Sequence, residues 1–263
     1  MAIDYLLGAG CPPQRELGAE WLVSLHRTRI QARAALAHYR ASGDTREPHE
    51  LSIQMHTTTA VNADAGEART VTLADLLAES APLDAVVGAC ASCPAGMPRE
   101  LACHGRIRYP IAERTEAWLM ARLPESLGTT AGILLVRGLE ELGWDGAPAA
   151  KARAAGFYES RVPYGVRWEA DGKRIELSAD QIFHMMFMVG PLAPTHCMML
   201  ALFLGVLPHD TPLTDLKDAE SRRRALAATH VAVEPDEEIE QLAAFLRMLA
   251  VAARLDVPIL VDG

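Results

Sequence analysis

The stretch Gly88-Ala-Cys-Ala-Ser-Cys-Pro-Ala-Gly-Met-Pro-Arg-Glu-Leu-Ala-Cys-His-Gly-Arg-Ile-Arg-Tyr-Pro-Ile111 is the segment around which the rest of the chain has to be organised. It contains three of the five cysteines together with three prolines, so the sequence predicts a long irregular loop that is neither helix nor strand. Loops of this length are uncommon unless something orders them. We therefore expect a metal ion or an iron–sulfur cluster to hold this loop in place.

Four cysteines are the predicted ligands of that centre. Cys90 and Cys93 have the C-x-x-C spacing, which lets two thiolates bind one small centre, and Cys103 follows after a short segment. Cys11 is the predicted fourth ligand. Cys11 and Cys93 each precede a proline, which turns the chain away from a ligand without offering a competing N–H donor. The predicted site is therefore Cys11, Cys90, Cys93 and Cys103.

The spacing of these cysteines favours an iron–sulfur cluster over zinc. One distant cysteine followed by C-x2-C-x9-C is irregular, whereas structural zinc more often uses two matched pairs. Four thiolates are the usual ligand set of a [4Fe–4S] cluster. Zinc, with Cys11 or His104 as the fourth ligand, stays open as the second interpretation. A metal-free chain stays open as well, with Cys11 buried as a small hydrophobic residue.

The same cysteines also permit a redox enzyme. Cys90 and Cys93 would then form a redox-active dithiol, with Cys103 as the resolving partner. Neighbouring basic side chains favour the thiolate form; they are Arg99, His104, Arg106 and Arg108. Against this interpretation, the chain lacks the alternation of strands and helices that a thioredoxin-like domain requires. The sequence does not decide between a binding role and catalysis.

The composition predicts a mainly helical protein. The chain has 263 residues, of which half are hydrophobic but only 5% are aromatic, so its core has to consist mostly of Leu, Ala, Val and Met. Such a core suits packed helices better than a β-sandwich. The predicted fold class is α+β, mainly α-helical, with small β-hairpins and one irregular cysteine-rich loop. Because no repeat or linker is visible, one compact domain over residues 1–263 is expected.

The charge and the amino-terminal sequence limit the partners. A formal net charge of −9 argues against binding to nucleic acid or to an anionic membrane surface. The start, Met-Ala-Ile-Asp, lacks the basic segment of a secretory signal, so a cytoplasmic protein is expected. In that compartment cysteines serve as ligands or thiols more often than as disulfides. We expect action through a protein partner.

Hydrophobic periodicity predicts several of the regular elements. Apolar residues alternate over 51–55, and a turn at 62–66 followed by the stretch 68–71 would complete a β-hairpin. A long amphipathic helix is predicted from Pro13 to Tyr39, with Trp21 on its buried face. Trp118 is predicted to be buried on a later helix. Thr72 with Asp75, and Ser178 with Gln181, are spaced as helix caps.

The segment 181–209 has no Asp, Glu, Lys or Arg, so a membrane span has to be considered. Pro191 and Pro194 divide it into two pieces that are each too short to cross a bilayer. The sequence therefore predicts a buried helical hairpin. Its His and Met side chains are soft ligands that suit copper or haem iron. Packing is the favoured explanation, because Met commonly fills irregular cores.

Overall fold

The structure is a computed structural model that describes residues 2–56, 68–96, 99–170, 173–227 and 229–262. The strands are β1 (Ala2–Leu7), β2 (Ser52–His56), β3 (Ala68–Thr72), β4 (His104–Arg108), β5 (Gly165–Ala170), β6 (Lys173–Ser178) and β7 (Ile259–Asp262). They form small antiparallel sheets, in the orders β4-β1-β7, β2-β3 and β5-β6.

Helices make up most of the regular structure. They are α1 (Pro12–Leu17), α2 (Ala19–Ala41), α3 (Leu73–Glu79), α4 (Pro82–Val86), α5 (Glu113–Met120), α6 (Thr130–Leu142), α7 (Ala147–Ala154), α8 (Ala179–Phe187), α9 (Pro194–Phe203), α10 (Ala219–Ala227) and α11 (Glu237–Leu255), with 3-10 helices at Val87–Ser92 and Leu213–Asp215. The predicted α+β, mainly helical fold class is confirmed.

The backbone contacts divide the chain into two units, one comprising Gly10–Ala102 and the other comprising the residues up to Ala9 and from Cys103 onward. The larger unit is built around the sheet β4-β1-β7, which contacts α11. Tyr5 of β1 is buried and meets Phe245 of α11 edge to face, with 5.0 Å between the ring centroids. Strand β7 pairs antiparallel with β1 and forms one edge of this sheet. The prediction of one domain over 1–263 stays a prediction.

The uncharged segment 181–209 folds into α8 and α9, as a buried helical pair. Phe183, Met186, Leu200 and Phe203 are all fully buried, which confirms the predicted core role of this segment. The capping box of Ser178 and Gln181 is present at the start of α8. Across the described ranges, no helix combines the length and the apolar character needed to cross a membrane.

In the smaller unit, α2 packs on the hairpin β2-β3 and on α3. The apolar residues between them are Ala32, Leu51, Val71, Leu73 and Leu76. The predicted pairing of the hairpin is confirmed, and its predicted turn at 62–66 lies outside the described residues. The predicted cap is also present, since the Asp75 N–H donates to Thr72 Oγ1 at 3.1 Å.

Two predictions for the first helical region are wrong. The helix expected from Pro13 to Tyr39 is interrupted at Gly18, whose φ of 78° and ψ of 152° are not helical, so α1 and α2 are separate helices. Trp21 lies in the first turn of α2, with 48% of its surface exposed. The expected burial of Trp21 is therefore wrong, while Trp118 of α5 is half-buried.

Candidate metal centre

Cys11 lies at the amino-terminal cap of α1. Its backbone is extended, with φ −65° and ψ 164°, and Pro12 and Pro13 occupy the first helical positions. Proline suits these positions because its fixed φ matches the helix and its missing N–H would have had no partner in the helix. The Cys11 carbonyl accepts a hydrogen bond from the Arg15 N–H at 3.0 Å, and the side chain is buried. The sequence Cys-Pro-Pro thus fixes the backbone on both sides of this thiol.

Cys90 and Cys93 belong to a tight turn. Cys90 lies within the 3-10 helix Val87–Ser92, and Cys93 caps its carboxyl end with extended backbone. The Cys93 N–H donates to the Cys90 carbonyl at 3.0 Å, and the Gly96 N–H donates to the Cys93 carbonyl at 2.9 Å. Both side chains are half-buried, so solvent reaches them. The expectation that 88–111 contains no regular element is wrong, because this 3-10 helix and β4 both fall within it.

The smaller unit brings two of the cysteine-bearing elements together. Helix α1, which begins directly after Cys11, contacts the 3-10 helix that carries Cys90. Helix α1 also contacts α4, which leads into that 3-10 helix. The chain therefore folds back so that Cys11 and Cys90 lie on adjoining elements, although most of the unit separates them in sequence.

Cys103 belongs to the larger unit and is buried immediately before β4. Its carbonyl accepts a hydrogen bond from the Leu7 N–H at 2.9 Å, which extends the pairing of β1 with β4. The next residue, His104, directs Nε2 to Oδ1 of Asp4 at 3.0 Å. Nε2 of His104 is therefore engaged by Asp4.

Asp4, His104 and Arg106 form a buried polar cluster that the sequence did not predict. The Arg106 Nε–H donates to Asp4 Oδ1 at 2.9 Å, from the position directly opposite in the register. Burial acts to raise the pKa of Asp4, but the hydrogen bonds from His104 and Arg106 outweigh it and lower this pKa to about 2. The sequence did contain a signal for this cluster: His104 and Arg106 are two residues apart, and such residues share one face of a strand.

A second buried cluster centres on Arg153 of α7. Its guanidinium donates to both carboxylate oxygens of Glu116 at 2.8 Å and to Asp180 Oδ1 at 2.7 and 3.0 Å. It also donates to the Ser160 carbonyl and lies 4.2 Å from the ring centroid of Tyr158. Burial raises the pKa of Glu116, against the opposing effect of Arg153. This cluster ties α5, α7 and α8 together, and its saturated guanidinium leaves no open position for a substrate.

The His and Met residues of α8 and α9 serve packing. Met185 and Met186 are fully buried, which confirms the favoured interpretation. His184 Nδ1 accepts a hydrogen bond from the Gly146 N–H at 3.3 Å. The His196 ring stacks on Trp144, with 5.2 Å between their centroids. Met185 and Met186 are thus explained by the core that they form.

In the part of the chain that the structure describes, no three His, Cys, Asp or Glu side chains form a group that could hold a metal ion. The predicted centre of Cys11, Cys90, Cys93 and Cys103 therefore stays a prediction. Comparisons with protein-family models, with curated proteins and with solved structures find no match to this chain.

Proposed function

We propose that this chain is a cytoplasmic metal-binding protein whose ligands are Cys11, Cys90, Cys93 and Cys103. The centre is a [4Fe–4S] cluster in preference to zinc, and it has a structural or redox-sensing role that is exercised through a protein partner. The observation that carries the proposal is the turn that holds Cys90 and Cys93, in which the spacing typical of a thiolate site is closed by a backbone hydrogen bond at 3.0 Å.

Three features of the chain support this proposal. The side chains of Cys90 and Cys93 are half-buried, so that an iron or zinc ion can reach them from solvent. Cys11 lies on an element that contacts the turn. Prolines follow Cys11 and Cys93, which limits the conformations that each ligand loses on binding.

Loading the centre has to draw the thiols together, because the described residues contain no assembled group of three ligands. Such coupling is common, since binding energy in thiolate sites also stabilises the fold. Four thiolates held close together repel one another, and the positive charge of bound iron would offset this repulsion. We therefore expect the metal-loaded chain to unfold at a higher temperature than the metal-free chain.

The decisive experiment is anaerobic purification of the full chain, followed by iron, sulfide and zinc analysis and an absorption spectrum. An iron–sulfur cluster gives a brown protein with broad visible absorption, whereas a zinc site is colourless. Single replacements with alanine at each proposed ligand should remove the metal. Cys197→Ala is the matched control, because Cys197 is buried in α9 and its thiol lies 3.7 Å from the Leu192 carbonyl oxygen.

Each outcome has a definite meaning. Loss of metal in all four ligand variants, with retention in Cys197→Ala, supports the complete site. Full retention in Cys11→Ala would remove Cys11 from the ligand set. A folded chain that binds neither iron nor zinc after anaerobic reconstitution would overturn the proposal.

Thiol–disulfide chemistry is the second candidate, and the solvent access of Cys90 and Cys93 favours it. Oxidised glutathione would take two electrons and two protons from the two thiols, which leaves a Cys90–Cys93 disulfide and two molecules of reduced glutathione. Titration in glutathione redox buffers, with mass spectrometry of the trapped protein, measures this step. A Cys90–Cys93 disulfide in the metal-free chain supports it, and thiols that stay reduced under oxidising buffers contradict it.

A further inference from the structure

A half-open cavity of about 180 Å³ lies in the larger unit, and none of the residues that line it is a cysteine. Helices α6, α9 and α10 contribute its walls, together with the 3-10 helix Leu213–Asp215. Met198 and Leu202 of α9 are almost fully buried at the cavity, whereas Leu213 is more than half exposed at its edge. The cavity is therefore open to solvent on one side and closed by the core on the other.

The lining of this cavity is apolar except at two positions. Leu134, Met198, Leu202 and Leu216 supply hydrocarbon and thioether surface. Unbranched methionine side chains adapt to the shape of what they contact. For scale, an apolar cavity of roughly 150 Å³ is large enough to bind benzene. The volume of this cavity suits one six-membered ring or a branched chain of similar size.

Arg222 of α10 is one of the two polar residues at the cavity, and Thr195 is the other. The Arg222 side chain is 11% exposed, and its Nη2 donates to Asp256 Oδ1 at 2.8 Å. Its Nε is buried without a hydrogen-bond partner among the described residues. A buried N–H that lacks an acceptor is unfavourable, and an anionic acceptor satisfies it better than a neutral one.

We propose that this cavity binds a small apolar carboxylate, such as an aromatic or branched-chain acid. The ring or chain lies against Met198, Leu202 and Leu134, and the carboxylate accepts a hydrogen bond from the Arg222 guanidinium. Because Nε is covered in the unliganded chain, the guanidinium turns toward the cavity as the acid enters. Asp256 is exposed, so it can exchange its partner for water.

Benzoate is the probe for this site, with toluene as the neutral analogue and benzylamine as the cationic one. A ligand of this size is expected to bind with a Kd on the order of millimolar. Benzoate should raise the melting temperature with increasing concentration, as mass action requires. It should also shift the methyl NMR resonances of Met198 and Met199 and leave that of Met120 in α5 unchanged. Benzylamine should do neither.

Arg222→Met should lower the affinity for benzoate about tenfold to a hundredfold, which is the loss expected for one hydrogen bond to a charged group. The affinity for toluene should not change. Arg223→Met is the matched control, because Arg223 is the next residue of α10, is exposed and does not line the cavity. Asp256→Asn should preserve or strengthen benzoate binding, since it releases Arg222. Leu216→Trp should block every probe by filling the cavity.

Several results would overturn the proposal. If no probe binds, or if benzoate shifts methionines elsewhere, the cavity is not a ligand site. Equal affinity for toluene and benzoate would mean that the carboxylate makes no contact with Arg222. An equal loss in Arg223→Met and Arg222→Met would attribute the effect to net charge alone. These outcomes do not depend on whether the cysteines bind metal.

Discussion

The ring of Tyr5 occupies the space that a side chain at Gly105 would need: a Cβ built on Gly105 would lie 2.3 Å from Cζ of Tyr5. The two residues face each other in the register of β1 and β4. Glycine at this position lets the ring cross the neighbouring strand and reach Phe245 of α11. This contact joins the sheet to the helix that covers it.

Gly105→Ala should therefore destabilise the protein by about 2–3 kcal/mol, because the added methyl group overpacks a closed site. Urea unfolding measures the change. Gly165→Ala is the matched control in another strand, where the nearest atom to an added Cβ is the Leu177 carbonyl oxygen at an ordinary 3.8 Å. Tyr5→Leu should relieve part of the cost in the double variant, and simple additivity of the two changes would contradict this account.

The ionisation of Asp4 should make the free energy of unfolding fall as the pH is lowered into the acid range. Its pKa is lowered to about 2 in the fold from an ordinary value of 3.8. Because the folded pKa is the lower one, the contribution is complete above about pH 4 and is lost as the pH falls toward 2. A difference of this size corresponds to roughly 2 kcal/mol. Unfolding curves between pH 2 and pH 7 measure it.

Asp4→Asn should lower the stability at neutral pH by a similar amount and reduce this fall at acid pH. Glu169→Gln is the control, because Glu169 is exposed on β5. If Asp4→Asn loses stability at acid pH to the same extent as the wild type, other carboxyl groups cause this loss.

The different burial of Trp21 and Trp144 gives a prediction that replaces the expected core role of Trp21. Trp21 is 48% exposed, whereas Trp144 is 7% exposed and its ring stacks on His196. Trp144→Ala should cost about 3–5 kcal/mol, the usual loss for a buried tryptophan. Trp21→Ala should cost about 1 kcal/mol or less, as for exposed positions. Thermal melting of both variants decides, and equal losses would place Trp21 in the core.

Elements set by local sequence were predictable. The caps at Thr72 and Ser178 satisfy backbone N–H groups within one turn, so their spacing was sufficient. Strand β4 was missed because its cysteine, glycine and proline neighbours resemble a loop, and only its pairing with β1 makes it a strand. That pairing joins positions about a hundred residues apart, which no local pattern reports.

The sequence predicted an irregular loop around Cys90 and Cys93, whereas the structure has a tight turn there, closed by the hydrogen bond from the Cys93 N–H to the Cys90 carbonyl. Whether distant cysteines meet depends on tertiary structure and cannot be read from spacing. The Arg153 cluster was missed for the same reason, since Glu116 and Asp180 lie on other helices.

Arg153→Met should be among the most destabilising single changes, because it leaves Glu116 and Asp180 buried without their cation. Removing one member of a buried ion cluster typically costs about 3–5 kcal/mol. Arg174→Met is the matched control, since Arg174 pairs with Glu176 on an exposed strand, and such pairs contribute about 1 kcal/mol or less. Urea unfolding at pH 7 measures both.

The pH dependence of Arg153→Met distinguishes lost charge pairing from lost packing. Burial already raises the pKa of Glu116, and removing Arg153 removes the main opposing effect. A carboxyl group whose folded pKa lies above its unfolded value is more favourable in the fold when it is protonated. The variant should therefore regain stability relative to the wild type as the pH falls from 7 toward 5. Glu116→Gln in the Arg153→Met background should regain stability at pH 7. A deficit that is constant with pH, and that Glu116→Gln leaves unchanged, would show that Arg153 acts through packing on Tyr158 alone.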